Sequence, residues 1–187
     1  MRIRTARYTE HRLVSVPALP GAIGPSLPRT GFRLLLEDDA GLRGIGEATP
    51  LPGYSPESPD QCKEALCAVV NAIPNAEIDD TAPPLVWLPA LLHPVSASAP
   101  SVGMALDTAL VDLCAKQRGV PAHRWLNAAA DCRQIHLNAT IDLTREDRAM
   151  ALSLETLVSR GFSVFKIKLK HNTLSPHEER RRLAFIR

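Results

Sequence analysis

Phe165-Lys166-Ile167-Lys168-Leu169-Lys170 is the stretch on which the fold turns. Strand periodicity puts Phe165, Ile167 and Leu169 on one face and the three lysines on the other. Two readings stand open. The lysines form a solvated face or a protected edge, as exposed charged faces commonly do. Or the strand belongs to a parallel sheet, buried on both faces, and the lysines point into a barrel lumen. A lysine in a confined site can act as a general base.

The flanking sequence bears on the choice. Ile135 to Ile141 reads as a short strand. Thr144 to Asp147 reads as a capping box for a helix running to about Arg160, ended by Gly161. Phe162 to Leu169 is the next strand. Ser175-Pro176-His177-Glu178 is a further capping box, opening a helix into the C-terminus. Strands alternating with helices predict a parallel sheet covered by helices. The domain boundary is placed around Asn127 to Arg133, giving domains 1–130 and 131–187. No repeat of solenoid period is visible.

The N-terminal part has a different grammar. Residues 2–8 alternate, with Ile3 and Thr5 on one side and Arg2, Arg4 and Ala6 on the other. Phe32 to Glu37 and Leu42 to Glu47 are strands joined by the turn Asp38-Asp39-Ala40-Gly41, a hairpin. Pro/Gly-rich loops span Pro17 to Thr30 and Thr49 to Pro56. Ser58 caps a helix with Pro59 first and Gln61 completing the box; Pro74 stops it. Residues 74–100 are rich in Pro and Ala, with weak helical periodicity at Val86 to Leu92. The strongest helix runs from Ser101 to Arg118. Val102, Ala105, Leu106, Ala109, Leu110, Leu113 and Cys114 form its apolar stripe, and Gly119 and Pro121 end it.

Composition excludes several classes. The 187 residues are long enough for one domain and part of another, but short of the roughly 250 that a complete (β/α)8 barrel uses. Apolar and charged shares of 45% and 22% are those of a globular chain, against disorder or coiled coil. A net charge of +2 gives no argument for a nucleic-acid or membrane partner. The most apolar run, Pro83 to Leu92, is too short to span a bilayer. The N-terminus has no apolar core of a secretory signal. Cys62, Cys67, Cys114 and Cys132 have no C-x-x-C or zinc-finger spacing, so reduced thiols and a cytoplasmic location are expected. Gly44-Ile45-Gly46-Glu47 lacks the third glycine of a dinucleotide loop and reads as a strand end. Asp107 and Asp112, five apart on the long helix, do not pair. His136 and Asn138 share a strand face.

Taken together, three segments carry a resemblance. Gly44 to Glu57, with Gly46-Glu47-Ala48-Thr49-Pro50-Leu51-Pro52-Gly53-Tyr54-Ser55 at its centre, resembles a loop signature of o-succinylbenzoate synthases, in the muconate-lactonizing branch of the enolase superfamily. Ala99 to Leu113 resembles the long capping-domain helix of that branch. Gly161 to Lys168 resembles its strand with the K-x-K motif. The matches fall in the right order and cover essentially the whole chain.

The resemblance implies an α+β capping domain followed by the first βα units of a (β/α) TIM-type barrel. It implies Lys168 as the base that removes an α-proton, and Lys166 as its electrostatic partner. It implies that the 17–30 and 49–56 loops close over a small-molecule carboxylate substrate. Pro52, Gly53, Tyr54 and Asn138 join Arg29 as substrate-binding candidates; Arg29 offers a fork for a succinyl carboxylate. The family reaction is dehydration of 2-succinyl-6-hydroxy-2,4-cyclohexadiene-1-carboxylate in menaquinone synthesis. Mg2+ holds the enediolate.

The family's metal-binding carboxylates come from the third, fourth and fifth strands, and a second lysine from the sixth. This chain ends at Arg187, after the second, and has Lys170 where the family usually has Gly. The expectation is therefore an N-terminal portion with no metal ligand of its own, inactive and prone to associate alone, and a homo-oligomer possible at full length. Two other readings are carried. One is a sister N-succinylamino acid racemase or dipeptide epimerase. The other is a non-catalytic α+β domain. The coding sequence beyond codon 187 discriminates among them.

Overall fold

The computed structural model describes residues 1–13, 28–79, 98–131, 134–168 and 174–186. The loop expected at Pro17 to Thr30 falls outside them up to residue 27, and the periodicity at Val86 to Leu92 lies outside them entirely. The described residues form two compact units, one up to Asp131 and one after Cys132.

The first unit is built on an antiparallel sheet in the order β1-β2-β3, with β1 Ile3–Leu13, β2 Arg29–Asp38 and β3 Arg43–Ala48. β1 is longer than the expected 2–8, because β2 starts at Arg29 and pairs with it out to Leu13. The expected alternation is also corrected. A register irregularity between Ile3 and Thr5 leaves Ile3 buried and Thr5 exposed. Beyond it Ala6 and Tyr8 become the residues that pack on the core. One extra residue in a ladder switches the faces that follow. The 38–41 turn forms as predicted. The Asp38 carboxylate accepts from the Leu42 N–H at 2.8 Å, and Gly41 has φ 82°. Across the outer face, Arg4 at 2.6 Å and Arg43 at 2.9 Å both donate to Glu37 on the central strand. The Arg43 hydrogen bond holds the Glu37 carboxyl below its usual range against the opposing effect of burial, with the charges of Arg43, Arg4 and Arg7 assisting.

Helices α1, Pro59–Ala72, and α2, Pro100–Gln117, cover the inner face. The Ser58/Gln61 capping box is complete. The whole predicted stripe of α2, from Val102 to Cys114, is buried against Phe32, Leu34, Leu36 and Leu66. α2 comes close to β3 at two glycines. A Cβ at Gly46 would lie 1.8 Å from the Ala105 carbonyl oxygen, and one at Gly44 2.0 Å from that of Ala109. The two glycines are thus the reason the helix backbone can rest on the strand. From that position α2 also serves the strand's outer edge. Asp112 accepts from the Ile45 N–H at 3.0 Å, and Lys116 donates to the Arg43 carbonyl at 2.8 Å. These side chains satisfy backbone groups that an edge strand leaves unpaired. Asp107, also on α2, is raised by burial. A five-residue helix, α3 (Ala122–Leu126), sets Trp125 against the core; it is too short to show periodicity in the sequence.

The second unit contains β4 Asn138–Asp142, α4 Asp147–Ser159, β5 Val164–Lys168 and α5 Pro176–Phe185. β4 and β5 pair in parallel, as the alternation of elements predicts. Both strands are shorter than expected. Pairing begins at Asn138 with Val164, so Ile135, His136 and Leu137 lie before the strand. Ile135 is 85% and Leu137 73% exposed, and His136 does not share a strand face with Asn138. Phe162 precedes β5, and Leu169 lies outside the described residues. The box expected at Thr144 is also corrected. Glu146 is the N-cap residue and gives no side-chain bond, while Thr144 donates its N–H and hydroxyl to Asp142. That local turn competes with capping. At Ser175 only half of the box forms. Ser175 accepts from the Glu178 N–H, but the Glu178 carboxylate is taken by Arg181 and Arg182.

Gly46→Ala is predicted to destabilise the first unit by about 3 kcal/mol, because its Cβ meets backbone that cannot rotate away. Leu110→Asp, which puts a carboxylate into the core, should cost at least as much. Thermal unfolding of the two variants beside Ile45→Ala, at a strand position facing outward, checks both. A Gly46→Ala protein that unfolds with the parent would refute the close approach.

Candidate functional site

In the second unit, parallel pairing sets Thr140 beside Lys166 and Asp142 beside Lys168. Ile141, Phe165 and Ile167 pack with Leu143, Met150, Leu154, Leu157 and Leu183, which lie on or beside the helices, and Ala139 is buried on the same strand face as Ile141. Asn138, Thr140 and Lys166 are exposed on the opposite face. Lys166 thus lies on the side turned from the helices. Lys168 is the last residue of β5, and its register partner Asp142 the last of β4. The carboxyl ends of parallel strands are where α/β sheets place their ligands.

The turn after β4 is held by two arginines. Arg182 donates to the carbonyls of Leu143 and Arg145, each at 2.5 Å, and to Glu178 at 2.8 Å. Arg181 takes Asp147 bidentately at 2.7 and 3.1 Å and also binds Glu178. Those forks tie α5 to the turn that leaves β4. The hydrogen bond from Arg181, then that from Arg182, pulls the Glu178 carboxyl down to about 2; Arg181 lowers Asp147 in the same way.

In the first unit the candidate residues gather at one end of the sheet. Arg29 corrects the expected loop boundary: it is the first residue of β2, half-buried, and pairs with Leu13. The 49–56 loop leaves the same end of the sheet after β3. It is closed on itself: Ser55 Oγ accepts from the Leu51 N–H at 2.9 Å, and the Leu51 carbonyl accepts from the N–H groups of Tyr54 and Ser55 at 3.0 and 2.8 Å. Gly53 has φ 76°, which the turn requires. Pro52, Gly53 and Tyr54 stand exposed at its tip, Tyr54 at 77%. Beside the loop root, Thr49 donates to Glu47 at 2.8 Å, and His11 Nε2 lies 3.7 Å from the same carboxylate over Gly31.

Glu57 has a role that the sequence reading did not give it. It is 4% exposed, and it accepts from both the N–H and the hydroxyl of Ser101 at the start of α2. The signal was there in principle. Ala99-Pro100 opens α2 with no side-chain cap of its own, so the helix needs an acceptor from elsewhere.

Among the described residues no group of three or more His, Cys, Asp or Glu side chains could hold a metal ion, and no helix is long and apolar enough to cross a membrane. These residues do not make a Mg2+ site.

No family model matches the chain. An L-Lys-D/L-Arg epimerase of Desulforapulum autotrophicum is 31% identical over 135 residues, covering 72% of this chain and 36% of that protein. The L-Ala-D/L-Glu epimerase of Bacillus subtilis has a similar structure, with TM-score 0.79 and 21% identity over all of this chain and 50% of that one. The dipeptide epimerase of Enterococcus faecalis V583, in complex with Mg and the dipeptide L-Leu-L-Tyr, gives TM-score 0.81 and 22% identity over the same shares. Other structural neighbours are mandelate racemase/muconate lactonizing and enolase-superfamily proteins. The likeness establishes the fold. The chain spans about half the length of these structures and a smaller part of the curated relative.

The arginine cluster yields a pH prediction. The folded Glu178 carboxyl is a stronger acid than its ordinary value of 4.5, so its stabilisation is complete above that pH. It is lost as pH falls toward about 2. Side-chain carboxyl NMR shifts should show Glu178 titrating near the lower value, and Glu178→Gln should remove that share of the acid sensitivity. A Glu178 midpoint at the ordinary value would contradict the cluster.

Proposed function

We propose that this chain is the N-terminal portion of an enolase-superfamily enzyme that epimerises the α-carbon of a dipeptide or N-acylated amino acid. In this reading residues 1–130 form the capping domain and residues 131–187 begin the barrel. The observation that carries it is the parallel β4/β5 pair, with Lys166-Ile167-Lys168 ending the second strand and its apolar face turned toward helices. The 31% identity to an L-Lys-D/L-Arg epimerase supports this substrate class over others on the same scaffold.

The chemistry explains the residue types. Epimerisation takes a proton from carbon beside a carboxylate and returns one on the opposite face. Such a proton is very weakly acidic, because its removal adds charge to a group already negative. Lys168 is assigned as the base that accepts it, and Lys166 as its electrostatic partner; the proton returned on the opposite face would come from the second lysine that the resembled family carries on its sixth strand. Arg29, Pro52, Gly53, Tyr54 and Asn138 are assigned to substrate binding. Mg2+, present with a dipeptide in the Enterococcus faecalis complex, supplies charge stabilisation in this chemistry. Since the described residues do not form its site, no step is assigned to it here.

A second reading is o-succinylbenzoate synthase. It is favoured by the Gly46-to-Ser55 loop sequence and uses the same proton abstraction, followed by loss of hydroxide. The comparisons favour the epimerase.

The test is a panel of L,L-dipeptides offered to the full-length protein with Mg2+, with L,D products separated by chiral chromatography. Lys168→Ala should lower turnover at least about a hundredfold while thermal unfolding is unchanged. Near-normal turnover by that variant would remove Lys168 from its role. Dehydration of the cyclohexadiene substrate without epimerisation of any dipeptide would favour the second reading.

A further inference from the structure

We propose that Glu57 is the positioning residue of the 49–56 loop: its carboxylate caps α2 from outside the helix, thereby fixing where Pro52, Gly53 and Tyr54 stand and setting the affinity for substrate. The inference rests on the reading that this loop meets the substrate.

Four observations lead to it. First, the start of α2 has a specific deficit. Ala99 has no capping group and Pro100 has no N–H, while the Val102 and Gly103 N–H groups bond the Ala99 carbonyl. The Ser101 N–H is left needing an acceptor. Glu57 accepts it at 2.9 Å, together with the Ser101 hydroxyl.

Second, Glu57 holds its charge in a buried place. Burial works against ionisation, but the hydrogen bonds from the Ser101 side chain and backbone, and from its own backbone, outweigh it and lower the carboxyl. Its other oxygen, Oε2, is buried without a hydrogen-bond partner among the described residues. The contact with Ser101 therefore accounts for the described side-chain anchoring of Glu57.

Third, the loop is closed on itself and held at both ends. The bonds among Leu51, Tyr54 and Ser55 close it internally, Pro50 is buried at one end, and Glu57 is buried at the other. The next residue, Ser58, caps α1. Glu57 thus joins the loop exit, the start of α1 and the start of α2. The Cys62 thiol of α1, 3.6 Å from the Ser101 hydroxyl, completes the contact and is pushed up by burial.

Fourth, this internally bonded loop leaves the Tyr54 ring in solvent, a position useful for contact with a bound molecule.

The experiment uses the full-length protein and the L,L-dipeptide of highest kcat/KM from the panel above. Glu57→Gln should raise KM about tenfold, the scale of one charge-assisted hydrogen bond, with kcat within about twofold. Hydrogen exchange in 51–56 should quicken while β2 and the middle of α2 stay protected. Ser101→Ala, which deletes one donor and keeps the carboxylate, should move KM and exchange in the same direction by less, and serves as the test if Glu57→Gln does not fold. Tyr54→Ala separates the two layers. If it leaves KM unchanged, the substrate role of the loop fails. If it raises KM and Glu57→Gln does not, the positioning role fails. Should no dipeptide be turned over, exchange still decides the anchoring: unaltered 51–56 exchange in both Glu57→Gln and Ser101→Ala would overturn it.

Discussion

The contact of α2 with β3 is the constraint on which the first unit depends. A helix backbone can rest on a strand only where no Cβ intervenes, and Gly44 and Gly46 supply two such places, one strand repeat apart, beneath the carbonyls of Ala109 and Ala105. Once α2 is seated there, its stripe fills the space above Phe32, Leu34 and Leu36. Its next turns bring Asp112 and Lys116 around the edge of β3, where they satisfy the backbone of Ile45 and Arg43. Its first turn meets the carboxylate of Glu57. Core, edge and loop anchor are therefore consequences of one helix position.

In the proposed function that position matters through the loop that follows β3. A loop proposed to meet a substrate has to present side chains without itself collapsing onto the protein. The 49–56 segment resolves this by internal closure through Ser55 and by burial at both ends, which leaves Tyr54 in the open. In the second unit the same economy appears in another form. Arg182 and Arg181 fix the turn beyond β4, and the parallel pairing fixes the position of the lysine strand next to it. In the proposed chemistry, a base must stand still relative to a C–H bond, and a paired strand beside a turn pinned by arginines is one way to hold it.

Much of this was legible in the sequence because the signals were local. The α2 stripe, the 38–41 turn, the Ser58/Gln61 box and the alternation of strand and helix after residue 134 all depend on neighbours along the chain. What was illegible depended on contacts across it. The irregularity after Ile3 reverses the faces of β1 and shows only once β2 is paired beside it. The start of β4 is set by where β5 begins, so Ile135 and Leu137 look like strand residues and are not. Thr144 has the right spacing for a cap, yet its hydroxyl goes to Asp142. The two glycines read as a strand end until a helix is placed over them. Glu57 likewise has no visible purpose until Ser101, far along the chain, is brought to it. The lysine pair stood out at once, since two lysines on an apolar strand require an explanation, although spacing alone favoured a solvated face over the lumen.

The central claim is that Lys166-Ile167-Lys168 belongs to a catalyst that removes a proton from the α-carbon of a dipeptide-like acid. Incubating the full-length protein with Mg2+ and an L,L-dipeptide in D2O, and following the α-proton signal by NMR, addresses it most directly. The account predicts loss of the signal of one α-proton as deuterium enters, catalysed by the parent protein and absent with Lys168→Ala. A dipeptide panel that keeps every α-proton, or exchange that proceeds equally in the Lys168→Ala protein, would contradict it.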